Sequence, residues 1–147
     1  MKKFHVGILG ATGMVGQRFI TLLENHPWFD IVSLAASPQS AGKTYETAVK
    51  EKWKMDTRIP VKQEKLIVRS VTDDVTKIAK EVDFVFCALD LEKETIKKIE
   101  EAYAAAGIPV VSNNSAHRWT DDIPLVIPEI NSDHLELIAI QKKNRGW

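Results

Sequence analysis

Three glycines near the start of the chain, Gly10, Gly13 and Gly16, are spaced three residues apart. They separate an apolar stretch that begins at Phe4 from an amphipathic stretch, Met14–Glu24, which predicts a strand, a tight turn and a helix. Gly10 permits the turn, Gly13 lets the backbone approach a pyrophosphate, and Gly16 allows the helix to pack closely on the strand. Free N–H groups at such a helix start bind anions. The pattern therefore predicts a phosphate-binding turn.

The spacing of these glycines is Gly-x-x-Gly-x-x-Gly, which differs from the commoner Gly-x-Gly-x-x-Gly and is weak evidence alone. The strand before the turn and the helix after it carry the prediction. The alternative is a glycine-rich connection between strand and helix that binds no ligand.

The end of the second predicted strand, Ile31–Ser37, indicates which nucleotide the turn would bind. An Asp or Glu about 20 residues beyond the glycines would hold the ribose 2′-hydroxyl of NAD, but residues 37–43 read Ser-Pro-Gln-Ser-Ala-Gly-Lys. The hydroxyls of Ser37 and Ser40 and the ammonium of Lys43 can donate hydrogen bonds to a 2′-phosphate. The segment therefore favours NADP, and its alternative is an ordinary Ser/Pro/Gly loop.

The rest of the chain alternates between strand-like and helix-like stretches. Further strands are predicted at Leu66–Ser70, Asp83–Ala88 and Pro109–Ser112. Helices are predicted around Ile96, Ile99, Tyr103 and Ala106, ending at Gly107, and over Leu135–Lys143 after Asn131–Asp133. The polar segment Lys50–Lys65 is expected to be a surface excursion. Alternating strands and helices predict an α/β fold, a Rossmann-like, mostly parallel, doubly wound sheet with right-handed crossovers.

Composition limits the possible partners. The 147 residues fit one domain, and 44% of them are hydrophobic, which is enough for a core. The 20 basic and 20 acidic side chains cancel, so neither nucleic acid nor an acidic membrane surface is expected as a partner. No apolar run approaches the ~20 residues that a membrane span needs. The composition favours a soluble enzyme domain.

Cys87 is the only cysteine in the chain. It lies in an apolar run, Phe84–Ala88, which is typical of a strand covered on both faces. Burial raises the pKa of a thiol and silences its chemistry, so we interpret Cys87 as a packing residue and not as a nucleophile. A single cysteine also excludes an internal disulfide framework and is typical of a reducing cytoplasm.

The remaining candidates for catalysis or metal binding have simpler interpretations. The chain has four histidines: His5, His26, His117 and His134. None forms a Cys/His cluster with zinc spacing, so no metal site is indicated, and a packing or surface role is favoured for each. Asp73–Asp74 is expected at a helix N-terminus, and Asp121–Asp122 in a solvated turn.

Four motifs occur in order along the chain: Gly-Ala-Thr-Gly-Met-Val-Gly at 10–16, Ala-Ser-Pro-Gln-Ser-Ala-Gly-Lys at 36–43, Ser-Asn-Asn-Ser-Ala-His-Arg at 112–118 and Val-Ile-Pro-Glu-Ile-Asn at 126–131. Together they resemble the N-terminal half of aspartate-β-semialdehyde dehydrogenases of the archaeal and fungal branch. The resemblance covers essentially the whole chain, and four ordered motifs are far more specific than the glycine turn alone.

The resemblance implies roles for individual residues. The residues that it places on the NADP pyrophosphate are Gly10, Thr12, Gly13, Met14 and Val15. Ser37 and Ser40 would contact the 2′-phosphate, and Gln39 stands where the family often has Arg, which bears on the strength of the NADP preference. The residues that would line the cofactor crevice and its nicotinamide end are Ala88, Leu89, Ser112, Asn113 and Asn114. Arg118 matches the arginine that binds the phosphate of an acyl phosphate, a role that suits its planar donor group.

The resemblance also implies an activity. The family converts β-aspartyl phosphate to aspartate β-semialdehyde, a step in lysine, threonine and methionine biosynthesis. A cysteine thiolate attacks the acyl phosphate, phosphate leaves, and NADPH reduces the thioester, with a histidine as acid or base. Such enzymes are cytoplasmic homo-oligomers. The family nucleophile follows shortly after the helix that here ends at 144–147, so residues 1–147 are expected to be an NADP-binding domain, truncated before the catalytic and dimerisation half and inactive alone.

Two alternatives remain open from the residues. The chain could be the cofactor domain of a sibling acyl reductase, such as N-acetyl-glutamyl-phosphate reductase or malonyl-CoA reductase, although the loop around Arg118 favours an acyl phosphate. It could also be an NADP-binding module without chemistry of its own.

Overall fold

The computed structural model describes residues 2–147, in which five parallel strands form one sheet in the order β3-β2-β1-β4-β5. The strands are β1 Phe4–Leu9, β2 Phe29–Ala36, β3 Arg69–Ser70, β4 Phe84–Cys87 and β5 Val110–Ser112. Every neighbouring pair is parallel. The order reverses between β1 and β4, as in doubly wound α/β domains, so the predicted Rossmann-like fold is confirmed.

Seven helices connect or follow these strands within residues 2–147. They are α1 Met14–Leu22, α2 Tyr45–Val49, α3 Val61–Glu64, α4 Val75–Ala79, α5 Lys93–Ala105, α6 Pro128–Asn131 and α7 Leu137–Arg145. The last predicted helix is thus divided, because a 3₁₀ segment, Ser132–Glu136, precedes α7. No helix of the described residues is long and apolar enough to cross a membrane.

The sheet separates two apolar clusters because successive side chains of a strand point to opposite faces. On one face, Val6 and Ile8 of β1 pack with Ile20 of α1 and with Tyr45 and Val49 of α2. The other face has its own cluster, formed with α4 and α5: Leu9, Ile78, Val85, Cys87, Ile96, Ile99 and Tyr103. Helices therefore cover both faces, and the buried, apolar run around Cys87 is confirmed as a central strand.

The segment Lys50–Lys65 lies largely on the surface, as its polarity predicted, but a few of its side chains anchor it to the core. Trp53 packs against the α1 and α2 side of the core, and Gln63 in α3 is only 4% exposed and donates to the carbonyl of Ile31. The segment is held by contacts to distant parts of the chain, which its local composition does not reveal.

The prediction for Asp73–Asp74 agrees with the structure, whereas that for Asp121–Asp122 does not. Asp74 lies directly before α4, as expected, and its carboxylate accepts hydrogen bonds from Lys77 and from the N–H of Ser70. Those two bonds hold the pKa of Asp74 below its ordinary value, the Lys77 bond most strongly. The expected solvated turn at Asp121–Asp122 is wrong for Asp122, which is 9% exposed.

Asp122 is buried because Arg145 at the end of α7 binds it in a bidentate pair. Arg145 Nε and Nη2 each donate to one of its carboxylate oxygens at 2.8 Å. This charged pair lowers the pKa of Asp122. The last helix is thereby tied to the turn that follows the 112–118 segment, a contact across 23 residues of sequence.

Candidate nucleotide-binding site

The carboxyl ends of β1, β2 and β4 meet at the glycine turn that follows β1. The N–H groups of Gly10 and Ala11 donate to the carbonyl of Ala35 at 2.9 and 3.0 Å. On the other side, the N–H of Ala88 donates to the carbonyl of Leu9 at 2.8 Å. The turn is therefore fixed between its two neighbouring strands at the point where strand order reverses, which is where ligands bind in open α/β sheets.

Two of the three glycines are required by close backbone contacts. Gly10 has a φ of +84°, and a Cβ there would lie 2.5 Å from the carbonyl oxygen of Ala88. A Cβ on Gly16 would lie 2.2 Å from the carbonyl oxygen of Gly10. The tight turn and close helix packing predicted for these two glycines therefore follow from the geometry.

Gly13 differs from the other two glycines because a side chain at this position would extend into free space. A Cβ there would find no atom closer than the Gly10 carbonyl oxygen at 3.5 Å, an ordinary contact. Its backbone, at φ −78° and ψ 165°, suits any residue. The fold does not require glycine at this position, and the absence of a side chain leaves the backbone open to the approach of a ligand.

The N-terminus of α1 presents unused donors beside Gly13. No side chain caps the helix, and within residues 2–147 the N–H groups of Thr12, Met14 and Val15 have no hydrogen-bond acceptor. The side chains of Met14 and Val15 are exposed. Uncapped N–H groups at the positive end of a helix dipole form an anion site, so this turn can hold a pyrophosphate.

Two buried polar side chains lie beneath the turn, and sequence reasoning missed both. The Tyr45 hydroxyl donates to the carbonyl of Ala11 at 2.8 Å, and Gln17 Nε2 donates to the carbonyl of Thr12 at 2.9 Å. Burial raises the pKa of Tyr45, so the hydroxyl keeps its proton as a donor. The signal for Gln17 was a polar residue on the face of α1 that also carries Ile20.

The loop after β2 places Ser37 and Ser40 differently. Ser37 is exposed at the end of the strand, whereas Ser40 is 6% exposed and its N–H donates to the Ser37 carbonyl at 2.9 Å. An adjoining pocket of about 290 Å³ is lined by Gln39, Ser40, Lys43, Thr47, Ala48, Lys50, Glu51 and Lys52. Three lysines against one glutamate make it electropositive, and the two lysines at 50 and 52 were not predicted.

The segments after β4 and β5 complete the same edge of the sheet. Ala88 and Leu89 are each 7% exposed. The Ala88 carbonyl lies directly against Gly10, so Ala88 borders the crevice through its backbone and not its side chain. The N–H of Asn113 donates to the carbonyl of Cys87 at 3.3 Å, and the Asn113 side chain is exposed. The structure therefore brings these predicted residues to the carboxyl edge beside the glycine turn.

A buried carboxylate holds the start of the 112–118 segment. Glu100 of α5 is 6% exposed and accepts a hydrogen bond from Ser112 Oγ at 2.5 Å. The Ser112 oxygen in turn accepts from the N–H of Asn114 at 3.0 Å, and Asn114 Nδ2 lies 3.5 Å from Cys87 Sγ. Glu100 is thus a further residue that sequence reasoning missed. Its signal was a charge among the apolar residues of the buried face of α5.

His117 and Arg118 point in different directions from this segment. The His117 side chain is largely buried, with Nδ1 3.2 Å from Thr120 Oγ1 and Nε2 3.9 Å from Glu100. It serves as a packing residue here. Arg118 is exposed and forms no ion pair with any residue in the described part of the chain. Its guanidinium is therefore free to bind an external anion.

Cys87 lies below this edge and does not reach it. Its side chain is fully buried. Burial, followed by the nearby Glu100 carboxylate, raises the pKa of the Cys87 thiol to about 12. Residues 2–147 thus contain a turn with free N–H donors, an electropositive pocket and an arginine without an ion pair, and their single thiol is buried.

A family model described as "Semialdehyde dehydrogenase, NAD binding domain" matches residues 5–138. The chain belongs to this family. An aspartate-semialdehyde dehydrogenase of Archaeoglobus fulgidus is 43% identical over 150 residues, which cover 99% of this chain and 40% of that protein. The Saccharomyces cerevisiae enzyme of the same name is 43% identical over 133 residues, or 90% of this chain and 34% of that protein.

The fold of this semialdehyde dehydrogenase family member matches solved relatives. The structure of aspartate semialdehyde dehydrogenase with NADP from Candida albicans has a TM-score of 0.83 and 38% identity, over 97% of this chain and 38% of that one. The chain thus spans about 40% of the length of the curated relatives that it matches. The family resemblance of the four motifs is confirmed.

Proposed function

We propose that this chain is the NADP-binding part of an aspartate-semialdehyde dehydrogenase, with residues 1–147 as its cofactor domain. The observation that carries the proposal is the glycine turn, in which an unobstructed Gly13 lies beside uncapped N–H groups of Thr12, Met14 and Val15. A related enzyme was solved with NADP. Fold, turn and relatives therefore support the same cofactor.

The residues at this edge fit a dinucleotide phosphate. The N–H groups at the start of α1 would hold the pyrophosphate, and Ser37, Ser40 and Lys43 would hold the 2′-phosphate beside the electropositive pocket. Ala88, Leu89 and Asn113 would border the crevice. When bound, NADPH supplies the hydride for reduction of an acyl group.

The exposed Arg118 supports an acyl phosphate as the substrate. A free guanidinium can bind two phosphate oxygens at once, and the Glu100–Ser112 bond holds the start of the segment that carries it. The names of the relatives favour β-aspartyl phosphate over the substrates of sibling reductases. The enzyme would then serve lysine, threonine and methionine biosynthesis, in the cytoplasm, and the nucleophilic Cys and the acid/base His would lie outside residues 1–147.

The first prediction concerns cofactor choice. We expect the chain to bind NADPH more tightly than NADH, because hydroxyls and ammonium groups stand where an NAD-binding domain has a carboxylate. Introducing an acid with Ser37→Asp should weaken NADPH binding by roughly tenfold or more through like-charge repulsion, and NADH binding much less. Calorimetric titration of both nucleotides measures this difference.

The matched control for this prediction is Ser132→Asp, since Ser132 is also an exposed serine and lies outside the site. It should leave the ratio of the two affinities unchanged. Equal or tighter binding of NADH by the unsubstituted chain would contradict the assignment of NADP.

We also propose that the full enzyme is a homo-oligomer. The support is a set of apolar side chains exposed on the C-terminal third of the chain: Trp119, Leu125, Ile127, Ile130, Leu135, Ile138 and Ile140. Ile130 is 78% exposed and Trp119 is 89% exposed. Many large apolar side chains exposed within one third of the chain support an interface there.

The second prediction follows from this apolar surface. We expect the isolated chain to self-associate through these apolar side chains. Ile130→Lys should reduce that association, because burying a charged group in an apolar contact is unfavourable. Light scattering coupled to gel filtration measures the mass. Val61→Lys is the control, since Val61 is also exposed, at 56%, but lies in α3. A monodisperse monomer with a cooperative, high melting transition would contradict the prediction.

A further inference from the structure

The inner side of the glycine turn is held by two side chains that touch no candidate ligand atom. Tyr45 and Gln17 come from α2 and α1, and they are 0% and 1% exposed. Each donates to a carbonyl of the turn, Tyr45 to Ala11 and Gln17 to Thr12. Buried polar side chains are retained where their hydrogen bonds hold a specific geometry.

The Tyr45 bond determines where one ligand-facing N–H points. The carbonyl of Ala11 and the N–H of Thr12 belong to one peptide unit, and the structure has no cis peptide bond within residues 2–147. In a trans peptide unit these two groups point in opposite directions. Because the Ala11 carbonyl is drawn inward to the Tyr45 hydroxyl at 2.8 Å, the Thr12 N–H faces outward.

The Gln17 bond acts on the next peptide unit. The carbonyl of Thr12 accepts from Gln17 Nε2 at 2.9 Å, and the N–H of Gly13 in the same unit donates to the Gly10 carbonyl at 3.1 Å. This unit is therefore held at both ends. The turn is closed at Gly13, and α1 begins at Met14 with its free N–H groups exposed.

The Gln17 amide has no freedom to turn away from this position. Nε2 also donates to the carbonyl of Lys52 at 2.9 Å, and Oε1 accepts from the N–H of Lys54 at 2.8 Å. A flipped amide would set its oxygen against two carbonyls and its NH₂ against an N–H donor. Trp53, between the two lysines, packs edge-on against the Tyr45 ring, with centroids 6.4 Å apart.

We propose that Tyr45 and Gln17 are positioning residues for the pyrophosphate of the dinucleotide. They hold the peptide units of the glycine turn in the orientation that binds the anion before it arrives. Donors that are already aligned bind a charged ligand without reorganisation. The inference rests on the proposed function and adds to it two residues that act through the backbone.

Two buried residues elsewhere in the chain are matched controls. Tyr103 is also fully buried, and its hydroxyl donates to the carbonyl of Val71 at 3.1 Å on the other face of the sheet. Gln63 is 4% exposed and donates to the carbonyl of Ile31 at 3.3 Å. Removal of either polar group affects stability but not the turn.

The test compares two nucleotides by calorimetric titration of the 147-residue chain. NADP has the pyrophosphate, whereas adenosine 2′-monophosphate has the 2′-phosphate without it. We expect Tyr45→Phe and Gln17→Leu to weaken NADP binding about 5- to 20-fold, as for loss of a hydrogen bond of ~1–2 kcal/mol. In Tyr45→Phe, which leaves the bonds from Gln17 to the lysine segment intact, binding of adenosine 2′-monophosphate should stay within about twofold. Tyr103→Phe and Gln63→Leu should change neither affinity beyond about twofold.

A second readout needs no ligand. The amide resonances of Thr12 and Gly13 in the free chain should shift in Tyr45→Phe and not in Tyr103→Phe. The inference would be overturned if Tyr45→Phe weakened the binding of both nucleotides equally, if it left the NADP affinity unchanged, or if it left the two amide resonances unshifted. If the unsubstituted chain bound no NADP, the proposed function would fail, and shifted amides would then show that Tyr45 holds the turn for another purpose, which also overturns the inference.

Discussion

Gly16→Ala should disrupt the fold of this domain, whereas Gly13→Ala should leave it folded and abolish nucleotide binding. A Cβ on Gly16 would lie 2.2 Å from the Gly10 carbonyl oxygen and 2.9 Å from the Ala11 Cα. Both neighbours are backbone atoms and cannot turn aside as a side chain would. Either the helix or the turn must move, at a cost of roughly 3 kcal/mol or more, which is a large part of the stability of a small domain.

Gly13→Ala should have the opposite effect, with stability retained and nucleotide binding lost. The added methyl group meets only the Gly10 carbonyl oxygen, at 3.5 Å, and its backbone angles suit alanine. The methyl group projects into the space where the pyrophosphate would approach the turn. We therefore expect a melting temperature close to that of the unsubstituted chain and a loss of NADP affinity of about 100-fold or more, or roughly 3 kcal/mol.

Thermal unfolding and NADP titration together separate these two outcomes. Gly107→Ala is the control for backbone strain alone, because Gly107 lies outside the site, has a φ of +83° and would have no atom within 4 Å of an added Cβ. It should cost only about 1 kcal/mol. A stable, NADP-binding Gly16→Ala variant would contradict the role of close packing. A Gly13→Ala variant with unchanged affinity for NADP would show that the pyrophosphate does not bind at the turn.

The second large effect is the absence of turnover in the 147-residue chain. The activity that the resemblance implies needs a thioester or thiohemiacetal on a reactive thiolate. Cys87 is the only cysteine, and burial raises its pKa to about 12. Compared with a thiol at its ordinary pKa of 9.0, that leaves roughly 10³-fold less thiolate at neutral pH. With aspartate semialdehyde, phosphate and NADP, we expect no formation of NADPH above background.

Absorbance of NADPH measures this directly, with Cys87→Ser as the paired variant. Turnover that disappears in Cys87→Ser would show that Cys87 is the nucleophile after all. Turnover that persists would show a mechanism without a thiol. A thiol reagent gives a further comparison, because Cys87 should react slowly in the native chain and at an ordinary rate in urea.

The same pKa shift sets a dependence of stability on pH. The pKa of the Cys87 thiol rises from 9.0 to about 12 on folding, so the folded state retains a proton that the unfolded state loses. The stabilising contribution is present below about pH 9 and declines as the pH rises toward 12. In denaturant titrations, Cys87→Ser should lack this part of the alkaline decline.

The sequence by itself determined the features that depend on neighbouring residues or on ordered motifs. The glycine spacing between a strand and a helix predicted the tight turn and the free N–H groups at the start of α1, and the alternation of strands and helices predicted the doubly wound sheet. The apolar run around Cys87 predicted a buried, unreactive thiol. Each of these follows from a local pattern, because backbone geometry and burial have a fixed period along a strand or helix.

Only the tertiary structure decided which polar side chains support the site. Tyr45 reaches Ala11 across 34 residues, Gln17 reaches Lys54 across 37, and Arg145 reaches Asp122 across 23. From sequence, the tyrosine and the glutamine have no partner, Asp122 belongs to a solvated turn, and the segment Lys50–Lys65 is a polar loop. A buried polar group is stable only where a distant backbone or charged group satisfies it, and that partner is brought into reach by the packing of the sheet and its helices.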